Sequence, residues 1–199
     1  MTTSLAQFAQ DIASGALRIV DLTHVLSEDF PPLVLPPQFG QVAAFKQEQI
    51  SHYDDKGPGW YWNNFTCGEH TGTHFDAPAH WISGKDYPHN TVDTLDLKVF
   101  IGPACVIDCT AEVAANEDFN LDVHHLEAWE ARHGRFPAGA WVLFRTGWAK
   151  RLANPASYVN LKEDGAHTPG PTQAAVEWLV KRGVPGATLL GAPAPAQSK

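Results

Sequence analysis

Three histidines and an aspartate crowd into eleven residues, His70-Thr71-Gly72-Thr73-His74-Phe75-Asp76-Ala77-Pro78-Ala79-His80. Neutral imidazole and carboxylate are the usual ligands of Zn²⁺ and Mn²⁺, so the backbone here must meet a donor geometry as well as a packing one. A helix fails the test. His70 and His74 would share a face, but Asp76 would lie about 240° around the axis from His70, and the threonines, Gly72 and Pro78 disfavour helix. A straight strand puts His70, His74, Asp76 and His80 on one side by parity. It also leaves the two imidazoles about 13 Å apart, near the limit for gripping one ion through bonds of about 2.1 Å. The spacing therefore predicts a kinked, extended loop, bent at Gly72, where a kink costs least. A second turn at Pro78 lets His80 reach the same place.

A lone histidine is more often a satisfied core or surface residue than a ligand. Four chemistry-bearing residues of one parity, punctuated by a glycine and a proline, reverse that expectation. His24, His52, His89, His124, His125, His133 and His167 have no comparable company and read as structural or exposed.

The rest of the chain is that of an ordinary globular protein. With 199 residues, 44% of them apolar and 18% charged, it is long enough to bury a core. Its net charge of −8 and scattered lysines and arginines exclude the clustered positive face that nucleic acid or an anionic membrane requires. No run of about 18 apolar residues exists to span a bilayer. The N-terminus lacks the basic start and apolar block of a secretion signal, and Asp11 interrupts its apolar positions. Cys67, Cys105 and Cys109 are an odd set without a paired framework. They read as reduced thiols of a cytoplasmic protein, Cys105 and Cys109 as packing residues.

Leu5, Phe8, Ile12 and Leu17 approach helical spacing, with Gly15 as a stop. Arg18 to Val25 is β-branched and predicts a first strand. Glu28 to Gly40 is proline-rich loop. Strands are expected over Ala43 to Ser51 and Trp60 to Cys67 with a turn at Asp54 to Gly59, and again, buried, over Val99 to Asp108 and Ala140 to Thr146. Helices are expected over Asp122 to His133, with Leu126 and Trp129 on one face and Gly134 as a stop, and over Pro171 to Arg182, with proline in its first turn and Gly183 after it. Strands interspersed with helices make one α/β domain over residues 1–199, without repeat or linker. Residues 183–199 form an atypical tail whose prolines and glycines argue against a central strand.

The pattern HTGTHFDAPAH resembles the HxGTHxDxPxH signature of the cyclase family, which includes bacterial isatin hydrolases and kynurenine formamidases. The likeness extends to VDLTHVLS, GPGWYWNNFTCGEH, HWISGKDYP, FRTGW and HTPGPT, over roughly residues 18–183, and the flanks look closest to the isatin hydrolase branch. The resemblance implies a swivelling β/β/α fold, a homodimer or larger assembly, and a divalent metal, Mn²⁺ or Zn²⁺. It also implies that His70, His74 and Asp76 are metal ligands and His80 the proton shuttle. Other members draw further ligands and pocket residues from a C-terminal segment with no counterpart here, so the chain reads as a C-terminally incomplete member.

The function expected is hydrolysis of the C–N bond of a small aryl amide, either cyclic and isatin-like or open and N-formylkynurenine-like. Two other readings stand beside it: an impaired member that binds metal or ligand without turnover, and a lactone or ester hydrolase. Trp60, Tyr61, Trp62, Phe65 and Trp81 flank the motif and read either as an apolar wall for a flat substrate or as core. Asn63 and Asn64 are candidate oxyanion donors, and Arg145 binds either a substrate carboxylate or a structural acid.

Overall fold

The structure is a computed structural model that describes residues 4–80, 88–184 and 186–190, the last stretch as backbone. Helix α1 (Leu5–Ala13) forms where the apolar spacing predicts it. Ser4 caps it by accepting the Gln7 N–H, and Gly15 follows its end at φ +76°. The strand expected over Arg18 to Val25 does not form: these residues run outside any ladder. β-branched composition expresses a preference that only a partner strand can satisfy. A local bond competes as well, since the Asp21 carboxylate accepts the Thr23 N–H at 2.9 Å. The proline-rich stretch after it is loop, as expected, and anchors itself by burying Phe30.

β1 (Lys46–Asp54) and β2 (Gly57–Thr66) make an antiparallel hairpin. The expected six-residue turn shrinks to Asp55–Lys56, because pairing persists to Asp54 opposite Gly57. The Asp54 carboxylate accepts the Lys56 N–H and closes the corner. This hairpin leads the chain into the histidine loop.

Beyond the loop come β3 (Ala104–Asp108), α2 (Thr110–Ala115), the short β4 (Asn120–Leu121), α3 (Val123–His133) and β5 (Trp141–Arg145). Then follow α4 (Pro155–Val159), the small hairpin of β6 (Leu161–Lys162) and β7 (Gly165–Ala166), β8 (Gly170–Pro171), α5 (Gln173–Lys181) and β9 (Gly186–Leu190). β3, β5 and β9 form a parallel sheet with β5 in the middle, Ala104 opposite Trp141 and Trp141 opposite Gly186. The architecture is α/β.

Three boundaries differ from expectation. The strand expected from Val99 begins only at Ala104: residues 97–100 form a 3₁₀ turn capped by Asp96, and Pro103 supplies no donor to a ladder. Pro171 lies before α5 rather than in its first turn, because Thr172 is the cap and accepts the Ala175 N–H. The tail does hold a strand. Gly186–Leu190 fits between prolines and pairs along β5 as an edge, where flanking prolines cost no ladder bonds.

The core lies on one face of this sheet. Cys105 and Ile107 of β3 and Val142 and Phe144 of β5 point inward by alternation and meet Leu126 of α3 and Ala175 and Leu179 of α5. Each such large side chain contributes about 1.5–3 kcal/mol. The two cysteines therefore pack, and burial pushes the Cys109 thiol up to about 11. The opposite face is more open than the buried strands expected from their apolar runs, with Val106 46% exposed. The two helices are tied at their caps: the Asp122 carboxylate accepts the Val123 N–H at 2.7 Å and the Thr172 hydroxyl at 3.0 Å.

Candidate metal centre

β2 ends at Thr66, and the chain turns at once. The Gly68 N–H donates to the Ala43 carbonyl and the Thr71 N–H to the Gly68 carbonyl, which coils the backbone beneath His70. Gly72 sits at φ +72°, the predicted bend, and Leu26 covers it: a Cβ built there would lie 2.5 Å from Leu26 Cδ2. Thr73 Oγ1 accepts the His24 N–H at 2.9 Å. From His74 to Ala77 the chain belongs to no helix or strand, and Phe75 packs on Phe100 and Trp141. Pro78 then opens a single 3₁₀ turn, Pro78–His80, which returns the chain.

The bends bring the side chains together. His70 and His74 have ring centroids 5.0 Å apart, against about 13 Å for a straight strand. Ligand-capable atoms of His70, His74 and Asp76 all lie within 4.8 Å of one another. His70 Nδ1 is 2.6 Å from Asp76 Oδ1, and His74 Nε2 is 3.2 Å from the same oxygen. The ring of His80 lies 3.9 Å from that of His70, centroid to centroid. These side chains keep only 18%, 19% and 29% of their surface exposed at His70, His74 and Asp76, so solvent does little to screen them.

The donor set fits a divalent cation. His74 Nδ1 lies 2.8 Å from the Gly72 carbonyl, which can only accept, so Nδ1 carries the hydrogen and Nε2 of the neutral ring presents its lone pair. Two acceptors, that lone pair and a carboxylate oxygen, then face each other at 3.2 Å. Such a pair is stable with a cation or a proton between its members. Three protein donors of this kind are also what catalytic zinc sites use, leaving a position for water or substrate.

The other candidates scatter. Trp60 and Trp62 form an edge-to-face pair, each about half exposed, and alternation puts Phe65 on the opposite face of β2, stacked on Phe45. Trp81 lies outside the described residues. Asn63 and Asn64 sit within the hairpin ladder opposite Gln49 and Glu48. Arg145 donates to Asp108 at 2.7 Å, the structural-acid alternative. The Thr110 N–H is the main cause that holds the Asp108 carboxyl below the usual carboxylate range, with Arg145 adding to it. His167 is structural too, held by Asp118 and Asp164 at 2.7 and 2.9 Å. Sequence reasoning missed Leu26 and the His24 backbone as supports of the loop. Their only trace was their place in the quoted VDLTHVLS stretch.

Residues 20–194 match the Cyclase family model. The chain belongs to the cyclase family. It is similar to isatin hydrolase A from Ralstonia solanacearum, whose structure superposes with a TM-score of 0.90 at 61% identity over 95% of this chain and 72% of that one. The isatin hydrolase of Roseibium aggregatum is 45% identical over 185 residues, 92% of this chain and 70% of its own. A kynurenine formamidase from Polaromonas naphthalenivorans is 34% identical over 111 residues, 55% of this chain and 44% of its own. With such relatives the chain is a hydrolase of this family, and its α/β architecture is the family's fold. No helix among the described residues is long and apolar enough to cross a membrane.

Proposed function

We propose that this chain hydrolyses the C–N bond of a small aryl amide, cyclic like isatin or open like an N-formyl aniline, at a centre formed by His70, His74, Asp76 and His80. The observation that carries this is the closure of two imidazoles and a carboxylate to within 4.8 Å, with the ring of His80 tilted against that of His70 at a centroid distance of 3.9 Å. His70, His74 and Asp76 would hold the cation. When bound, Mn²⁺ or Zn²⁺ supplies a Lewis acid that polarises the amide carbonyl and lowers the pKa of a neighbouring water from about 15.7 toward 7.

The protein's own groups do the rest. His80 offers an imidazole, which can accept a proton from water and release it again within one cycle. The water oxygen bonds to the carbonyl carbon, the C–N bond breaks, and His80 delivers the proton to the departing nitrogen. The products are a carboxylic acid and an amine, joined in one molecule when the amide is cyclic. Trp60 and Trp62, which share one face of β2, and Trp81 are the aromatic side chains proposed to meet the flat substrate; Phe65, on the opposite face and stacked on Phe45, is left out of that wall. We place the activity in a single domain that works as a homodimer or larger assembly. Ile19, Val20, Leu22 and Val25, each more than half exposed, support that assembly as an apolar surface.

The test is titration of the purified chain with Mn²⁺ and with Zn²⁺, followed by a panel of isatin, formanilides, aryl lactones and aryl esters. Metal-dependent cleavage of amides supports the proposal. Cleavage of lactones or esters alone reassigns the substrate, and metal binding without turnover of any compound reduces the chain to a binding protein.

A further inference from the structure

The segments that carry and support the histidine loop bury very little. From residue 4 to residue 50 one side chain is buried, Phe30, at 6% exposure. The β1–β2 hairpin that leads into the loop buries only Ser51 and Gly57, neither of which brings much apolar surface. Phe30 is therefore the anchor of this part of the chain.

Its seat is in the α/β body. The Phe30 ring meets that of Tyr158 edge-to-face, with centroids 6.2 Å apart. Tyr158 lies in α4, packs with Trp148 and Val113, and accepts the Trp148 Nε1–H on its carbonyl at 2.9 Å. The Phe30 N–H donates to the Ser27 carbonyl at 2.9 Å, a turn that folds the chain back from this seat. Three ties then follow toward the metal loop. The Glu28 carboxylate accepts the Gln47 N–H of β1 at 3.1 Å. The end of the Leu26 side chain lies over Gly72, and the His24 N–H donates to Thr73 Oγ1 at 2.9 Å. Gly72 and Thr73 immediately precede His74, and the Gly72 carbonyl sets the His74 tautomer. Residues 24–30 thus form a strap from the α/β body to the middle of the metal loop.

The ties at the loop end are weak by themselves. Leu26 keeps more than a third of its surface exposed, and a hydrogen bond formed near solvent replaces one to water, so it nets little. Ordering seven residues costs chain entropy, which such contacts offset only in part. A buried aromatic side chain supplies what they lack.

We propose that Phe30 is a positioning residue for the metal centre: seated on Tyr158, it keeps the 24–30 strap in place, so that Leu26 and the His24 N–H hold Gly72 and Thr73 where His74 and Asp76 converge with His70. It acts through the strap and not by contact with the reacting groups. This rests on the metal-centre reading above and adds to it a residue that the histidine motif does not contain.

The experiment compares the full chain with Phe30→Ala and Phe30→Leu, each also on a Leu26→Ala, Thr73→Val background in which the strap is cut from the loop. Mn²⁺ affinity is read by calorimetric titration, and amide hydrogen exchange at His24 and Tm are read in the metal-free chain. Expected for Phe30→Ala is Mn²⁺ affinity weakened by about three- to thirtyfold, with faster exchange at His24. Phe30→Leu, which keeps an apolar side chain on Tyr158, should recover part of both. On the cut background Phe30→Ala should change affinity by less than about twofold, because nothing is left for it to act through. A lowered Tm with Mn²⁺ affinity and His24 exchange unchanged makes Phe30 a packing residue and overturns the proposal. An equal fold loss on both backgrounds overturns it too. If Phe30→Ala does not fold, Phe30→Leu carries the same comparison at smaller amplitude. No Mn²⁺ binding by the unmodified chain defeats the metal-centre reading and this inference with it, whereas normal binding there with unchanged His24 exchange in the variants defeats the strap alone.

Discussion

His74 donates its Nδ1 hydrogen to the Gly72 carbonyl across 2.8 Å, so the residue that bends the loop also decides which nitrogen of the next histidine faces the cluster. Gly72 needs its φ of +72° for that geometry, and a methyl group there would have to push the end of the Leu26 side chain aside. Gly72→Ala should lower stability by about 1–2 kcal/mol from the left-handed backbone alone, and should weaken Mn²⁺ binding. Calorimetric titration of the variant checks this. Adding Leu26→Ala should relieve the steric part and leave the backbone part, so only partial recovery is expected.

Asp76 accepts from one imidazole and faces the lone pair of another. Asp76→Ala should cost more than about tenfold in metal affinity, since even outer partners of a metal site are worth that much. The fold should persist, because the parallel sheet and its core lie in other elements. Metal content by elemental analysis, read beside far-UV circular dichroism, tests both halves of the statement.

His80→Ala should retain the metal and lose about 10²–10⁴ in kcat, the range of a general acid–base group. A proton carrier outside the ligand set predicts that separation. Equal loss of metal and activity would instead make His80 a ligand.

His167 touches two carboxylates at once, Asp118 through Nδ1 and Asp164 through Nε2. Ionised carboxylates only accept, so both ring nitrogens carry hydrogens and the ring is cationic. The hydrogen bond that the ring donates to Asp118, then the one to Asp164, raises its pKa above the ordinary histidine value, against smaller opposing effects of desolvation and of Lys162. A group whose pKa is raised on folding contributes stability that is complete below its unfolded value of about 6.5 and is lost as pH climbs through the folded value. Tm should therefore fall as pH rises above about 6.5 and through the raised folded value. His167→Gln should flatten that slope, and an unchanged slope would take His167 out of the pH response.

Burial pushes up the Cys105 thiol, and with Glu112 and Asp108 nearby raises that of Cys109 further. Iodoacetamide at pH 8 should modify Cys67, which is only partly buried, well before the other two. Mass spectrometry after brief treatment reads the order.

What local sequence determines here is what short-range physics controls. Parity and a central glycine predicted the bent loop, and the bend lies at Gly72. Apolar spacing and caps predicted α1 and α3, because a helix satisfies its own backbone and needs only one apolar face. The cysteines at 105 and 109 were legible as packing residues from their apolar flanks.

Tertiary structure decided whatever needs a distant partner. Arg18 to Val25 has strand composition and no strand beside it among the described residues, whereas Gly186–Leu190, hemmed by prolines, becomes one because β5 offers an open edge. The supports of the metal loop, Leu26 over Gly72, the His24 N–H on Thr73 and the Asn90 carbonyl under Ala79, come from segments that spacing cannot connect. A strand and a donor site are both bonds between two places in the chain, and local sequence describes only one place at a time.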